Sequence, residues 1–268
     1  VTNPRRFAAL FPLALTMEST QPTNRLYIVP CMLTICSLFS GFYSIVSSIN
    51  GHFFAAAVAI MVAAVFDGLD GRVARMTGST STFGMELDSL CDMVAFGVAP
   101  GVLAYLWALT PYGRYGWLAA FLYVAATALR LARFNSQSVT NAGHHDFTGL
   151  PCPAAAGMIA TSVMFSTHVF KTTDTVQNIL LLLLVYLLSY LMVSTHRYLS
   201  FKHMDIPKEK RFQLFIGLIL LLILLASEPP ITLFIASLLY IFSGIFMAIR
   251  ARLRRKKPEA VPQEKLPL

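Results

Sequence analysis

An all-α, polytopic membrane bundle of about eight transmembrane helices is the fold class this sequence predicts, and three observations predict it. Only 13% of the 268 residues are charged and 56% are hydrophobic, with a mean hydropathy of +0.64. A soluble domain carries about 25% charged residues, too large a difference to assign to an unusual core. Unbroken apolar runs such as 179–188 and 214–226 sit more easily in lipid than inside a protein of this size. The third observation is where the positive charges fall.

Eight apolar segments follow in order, at 26–49, 52–70, 84–109, 115–134, 152–170, 176–196, 211–226 and 230–249. Each is near the ~20 residues that cross a bilayer, the seventh being the shortest. Pro151 and Pro153 bracket the start of the fifth, and Pro229 and Pro230 mark the turn before the eighth. With the N-terminus inside, all of the 21 Lys and Arg residues except Arg114 and Lys171 lie on the inner side. That asymmetry is the positive-inside bias, and it places both termini in the cytoplasm. Residues 1–25 are expected to form a cytoplasmic lead-in with a surface amphipathic stretch at 7–17, rather than a signal peptide. Residues 26–249 read as one transmembrane domain and 250–268 as a basic cytoplasmic tail. That tail either rests on anionic headgroups or simply fixes topology. So distributed, the formal charge of +8 implies a membrane and no nucleic-acid partner. The four cysteines form no C-x-x-C pair and are expected as reduced thiols with packing roles.

The chemistry concentrates between 67 and 92. Asp67, Asp70, Gly71, Ala74 and Arg75 share one face of a helix, and Gly84, Asp88 and Asp92 share a face of the next. A short polar run, 76–82, joins the two, so the faces can oppose and four carboxylates converge near the inner boundary. Carboxylates crowded in low dielectric must bind protons or cations. All-oxygen ligation favours Mg²⁺ or Mn²⁺ over zinc, and two such ions suit transfer of a phosphoryl group. Gly68, Gly71 and Gly84 each cost about 1 kcal/mol of helix stability against Ala, and let a phosphate, a sugar or a neighbouring helix approach the backbone. Two alternatives stand beside this one. Pairing with Arg72 and Arg75 neutralises at most two of the acids, and an ion-transport route more often distributes its acids across the membrane.

The stretch D-x-x-D-G-x-x-A-R, eight residues, then G-x-x-x-D-x-x-x-D, resembles the signature of the CDP-alcohol phosphatidyltransferase family. All eight fixed positions match: Asp67, Asp70, Gly71, Ala74, Arg75, Gly84, Asp88 and Asp92. Arg130, Arg133, Phe134 and Asn135, followed by Phe147, Gly149, Pro151 and Pro153, are similar to the serine-using bacterial branch. So are Ser194, Arg197, Tyr198, Ser200 and Lys202. In the first helix Pro30, Thr34 and Gly41 fit the pattern, while Cys31 and Ser37 replace its usual asparagines.

The resemblance, over roughly residues 25–205, implies a six-helix core and a homodimer in the bacterial inner membrane with its active site on the cytoplasmic side. It implies transfer of the phosphatidyl group from CDP-diacylglycerol to L-serine, or to another alcohol such as inositol phosphate, glycerol 3-phosphate or choline. In it Asp67, Asp70 and Asp88 are the principal metal ligands, and Asp92 is the general base that also contacts an ion. Gly71, Ala74 and Gly84 wall the nucleotide site, with Arg75 beside them.

A second basic cluster, Arg130, Arg133, Arg197 and Lys202 with Asn135, is expected either to hold the phosphatidyl phosphate and the serine carboxylate or merely to enforce orientation. His144, His145 and Asp146 have no cysteine or third histidine at a useful metal spacing, and His196 is expected either to line the acceptor side or to pack at the interface.

Overall fold

The computed structural model describes residues 28–78, 81–140, 149–170, 175–194 and 211–255. Eight helices succeed one another among them: α1 (Ile28–Ile49), α2 (Phe53–Thr77), α3 (Thr82–Tyr112), α4 (Arg114–Thr140), α5 (Cys152–Val169), α6 (Thr175–Val193), α7 (Arg211–Ser227) and α8 (Pro229–Arg255). Each expected apolar segment has its helix, so the chain is an all-helical, polytopic membrane protein. Four of the helices are long and apolar enough to cross a bilayer, α1, α2, α3 and Arg114–Ser136 of α4. Asn178–Val193, Phe215–Ser227 and Pro229–Gly244 are shorter apolar stretches. The amphipathic stretch at 7–17, the 144–146 cluster, His196, Arg197, Lys202 and the tail beyond 255 lie outside the described residues.

Two helices overrun their apolar segments. α2 continues from the expected 70 to Thr77, and α4 from 134 to Thr140. Hydropathy marks where lipid ends, whereas a helix needs only continued hydrogen bonding and good helix formers. Arg72, Ala74, Arg75 and Met76 supply these, and α2 stops where Gly78 turns left-handed at φ 61° and returns its N–H to the Ala74 carbonyl.

α1 and α2 form an antiparallel hairpin. The buried face of α1 is small or hydroxylic: Thr34, Ser37, Ser40, Gly41, Ser44, Ser47 and Ser48. Against it α2 sets Ala56, Ala59, Ile60 and Ala63. Small residues let two backbones approach, and hydroxyls tie them together in a setting without water. Ser37 does this directly, donating to the Ala63 carbonyl at 3.1 Å. α5 is buried along most of its length, its Ala155, Ala156, Gly157 and Ala160 letting α2, α3, α6 and α8 close around it. α7 lies outermost, with Phe215, Ile219, Leu220 and Ile223 exposed as lipid contact requires.

α3 carries a feature that periodicity did not reveal. Just beyond Asp92 it widens to π geometry over Met93–Val98. Pro100 has no N–H to return to the Phe96 carbonyl four residues earlier, and the hydroxyl of the fully buried Tyr123 on α4 donates to that carbonyl instead, at 3.0 Å. Replacing Tyr123 by Phe leaves the carbonyl without a partner at membrane depth. The expected result is a loss of about 1–3 kcal/mol, measurable as a lower Tm of detergent-solubilised protein.

Candidate active site

The acids stand where α2 ends and α3 begins. Asp67 and Asp70 lie on the last turns of α2, Asp88 and Asp92 on the second and third turns of α3. The chain reverses through Gly78 and Ser81, the latter capping α3 by accepting the Gly84 N–H at 3.0 Å. This reversal turns the two acidic faces toward each other. One carboxylate oxygen from each of Asp67, Asp70 and Asp88 lies within 4.8 Å of the other two. Asp92, one turn further along α3, is outside that trio and makes side-chain hydrogen-bond contact with Asp67. Asp70 is buried and the other three are half-buried.

Thr34 holds the buried member. Its hydroxyl lies 2.8 Å from Asp70 Oδ2 and 3.1 Å from the Pro30 carbonyl, so α1 fixes the orientation of a carboxylate that belongs to α2. No Lys or Arg makes an ion pair with the four acids among the described residues. Arg72 and Arg75 are exposed, and the Arg75 guanidinium folds back beside Gly71. The close contact of a basic side chain with an acid among the described residues lies far away, between His168 Nε2 and Glu228 Oε2 at 3.1 Å. Neutralisation by Arg72 and Arg75 is therefore not what the geometry shows. Carboxylates this close, with no ion pair to a cation among the described residues, need a positive charge from elsewhere. Their purely oxygen donors and short spacing fit a hard divalent cation.

A cavity of about 160 Å³ opens over this floor. Asp70 and Asp88 line it together with Gly71, Ala74, Arg75 and Gly84, the four residues expected around the nucleotide, and with Thr34, Cys31 and Met85. A larger cavity of about 590 Å³, bounded by Trp107, Phe165, Leu184 and Phe234, lies toward the opposite end of the bundle and has no acid in its wall. The acids thus gather at one end of the helices.

The second basic cluster divides. Arg130 turns into the bundle, where its Nη1 donates to Cys152 Sγ of α5 at 3.3 Å. Asn135 faces α3 instead, its Nδ2 donating to Ser89 Oγ at 3.0 Å. Arg133 is half-exposed. The pairing of Asn135 with Ser89 binds the C-terminal end of α4 to the helix that carries Asp88. Sequence reasoning gave no role to Thr34 or Ser89, and only a packing role to Cys152. The signal for Thr34 was its spacing, one turn from Pro30 on the hydroxylic face of α1, but nothing local names its partner.

Comparison with known proteins places this geometry. The family model for CDP-alcohol phosphatidyltransferase matches residues 27–190. The chain belongs to that family. Among CDP-alcohol phosphatidyltransferase relatives it is 38% identical to the CDP-diacylglycerol–serine O-phosphatidyltransferase of Helicobacter pylori over 224 residues, covering 84% of this chain and 92% of the relative. The Bacillus subtilis protein of the same name is 36% identical over 174 residues, 65% of this chain and 91% of its own length. An archaetidylserine synthase of Methanothermobacter thermautotrophicus is 42% identical over 135 residues, 50% of this chain and 56% of that one. CDP-alcohol phosphatidyltransferases are in general metal-dependent, and Asp67, Asp70 and Asp88 form a group able to hold a metal ion.

Proposed function

We propose that this chain transfers the phosphatidyl group of CDP-diacylglycerol to the hydroxyl of L-serine, releasing phosphatidylserine and CMP. The observation that carries this reading is the grouping of Asp67, Asp70 and Asp88, two of which, Asp70 and Asp88, line a cavity walled by Gly71, Ala74, Arg75 and Gly84. Serine as acceptor is supported by relatives whose names share serine while differing in the lipid they name.

Asp67, Asp70 and Asp88 would hold the divalent ions, Mg²⁺ or Mn²⁺ and two per site, which supply the positive charge that a pyrophosphate and its departing CMP require. Gly71, Ala74 and Gly84 keep the cavity wall shallow, so the cytidine and its phosphates can lie against backbone. Arg75 offers a counter-charge at that wall. The serine Oγ attacks the phosphorus that bears diacylglycerol, a new P–O bond forms, and the bond from that phosphorus to CMP breaks. Asp92, beside Asp67 but outside the trio, accepts the hydroxyl proton. The site's place at one end of the bundle suits both substrates, since acyl chains stay in lipid while serine arrives from water.

The bacterial relatives support a bacterial inner membrane location, and the charge asymmetry of the sequence supports an orientation with this end of the bundle and both chain termini cytoplasmic. On this reading residues 26–249 form the catalytic domain, flanked by cytoplasmic segments 1–25 and 250–268, and the protein works as a homodimer.

The deciding experiment measures CMP release from CDP-diacylglycerol by the purified chain with Mg²⁺ or Mn²⁺, adding L-serine, inositol phosphate, glycerol 3-phosphate or choline in turn. Serine-dependent release, with labelled serine entering lipid, is the expected result. Release driven by another alcohol keeps the chemistry and overturns the acceptor.

A further inference from the structure

Cys152 is the first residue of α5, fully buried, and its sulfur accepts the hydrogen bond from Arg130 Nη1. The backbone around it is fixed. The Leu150 N–H donates to the Leu191 carbonyl at 3.2 Å, joining the start of α5 to the end of α6. Gly149 makes this junction possible, with φ +86° and so little room that a Cβ would stand 2.6 Å from the Met192 carbonyl oxygen. The thiol is therefore an immobile acceptor.

Besides Arg130, the acids Asp92 and Asp67 lie within electrostatic reach of that sulfur. Tyr240 of α8 approaches the same guanidinium. Arg130 makes no ion pair among the described residues, and its Nε is enclosed without a hydrogen-bond partner. A guanidinium has five N–H donors, and a thiol is a weak acceptor that satisfies one of them poorly. Leaving the enclosed Nε unpaired in a low dielectric is costly, and an anion at the guanidinium would offset that cost. A carboxylate matches the planar fork of the guanidinium.

We infer that Cys152 is a positioning residue for the acceptor site, its sulfur holding Arg130 where the guanidinium receives the carboxylate of the incoming amino acid while the hydroxyl lies at Asp92. This rests on the serine reading and deepens it. Arg130 then selects an amino acid over an alcohol without a carboxylate, and Cys152 sets how well it does so.

The test is steady-state kinetics of full-length Cys152→Ala, Cys152→Ser, Arg130→Ala and Arg130→Ala/Cys152→Ala in detergent, with KM measured separately for serine and for CDP-diacylglycerol. Cys152→Ala is expected to raise the serine KM about tenfold and leave the CDP-diacylglycerol KM within about twofold. Cys152→Ser, whose hydroxyl accepts the same hydrogen bond, is expected to recover most of the loss. In the Arg130→Ala background Cys152→Ala should add nothing, because the group it positions is gone. Equal shifts in both KM values, an effect additive with Arg130→Ala, or unchanged kinetics in Cys152→Ala overturns the inference. Wild-type protein that releases no CMP with serine defeats the serine reading itself, a separate result.

Discussion

Asp92→Asn and Asp88→Asn are both expected to abolish most CMP release, and to differ in what restores it. Asparagine keeps the volume and one oxygen of the acid but removes its charge and its ability to take a proton. At Asp88 the lost charge belongs to the trio whose oxygens lie within 4.8 Å of one another. Ion affinity should fall with it, and raising Mn²⁺ should recover part of the rate as the weakened site fills. Asp92 stands outside that trio, against Asp67. If it takes the serine proton, its loss lowers kcat by about 10²- to 10⁴-fold, and no concentration of metal restores it. Two readouts separate the roles: Mn²⁺ binding to each purified variant, and CMP release across a metal titration. Metal rescue of Asp92→Asn would make Asp92 a ligand and leave the base unassigned. Normal Mn²⁺ affinity in Asp88→Asn would count against the trio as the ion site.

Much of this site could be read from spacing alone, because helical periodicity is a local property. Asp67 with Asp70, and Asp88 with Asp92, had to share faces once both segments were helical, and a short link had to bring those faces together. What could not be read depends on partners distant in sequence. Thr34 reaches Asp70 across 36 residues and Asn135 reaches Ser89 across 46. No local pattern encodes such pairs. Arg130 and Asn135 looked like members of one cluster because they are close in the chain. Five residues on a helix amount to about 140° of rotation, so one faces α5 and the other α3. α2 and α4 run past the ends of their apolar segments for a different reason, since hydropathy marks where an apolar stretch stops while a helix needs only continued hydrogen bonding. The π turn after Asp92 had a signal in Pro100, but a proline announces only that a hydrogen bond is missing. That Tyr123 supplies it belongs to the packed structure.

Gly41→Val is expected to damage fold and catalysis together, because the contact it breaks sets the distance between α1 and α3. A Cβ placed on Gly41 would lie 2.6 Å from Ala95 Cα and 2.9 Å from Ala95 Cβ. Backbone cannot rotate aside as a flexible side chain can, so the helices must part. Overpacking of this kind costs about 1–3 kcal/mol, visible as a lower Tm in detergent. The consequence for chemistry follows from what the two helices carry. Gly41 shares the buried face of α1 with Thr34, which orients Asp70, and Ala95 lies one turn beyond Asp92 on α3. Parting them shifts Asp88 and Asp92 relative to Asp70, so CMP release should fall by more than the loss of folded protein explains. Gly41→Ala should act in the same direction and more weakly. Adding Ala95→Gly to it removes the 2.9 Å contact but leaves the Cα at 2.6 Å, so the double variant should recover only in part. Gly217→Ala is the matched control, on a helix where nothing lies within 4 Å of the new methyl, and there the better helix former should hold or raise the Tm. If Gly41→Val keeps full activity at unchanged Tm, the α1–α3 contact does not set the site's geometry. A fall in Tm with activity per folded molecule preserved would confine the contact to stability.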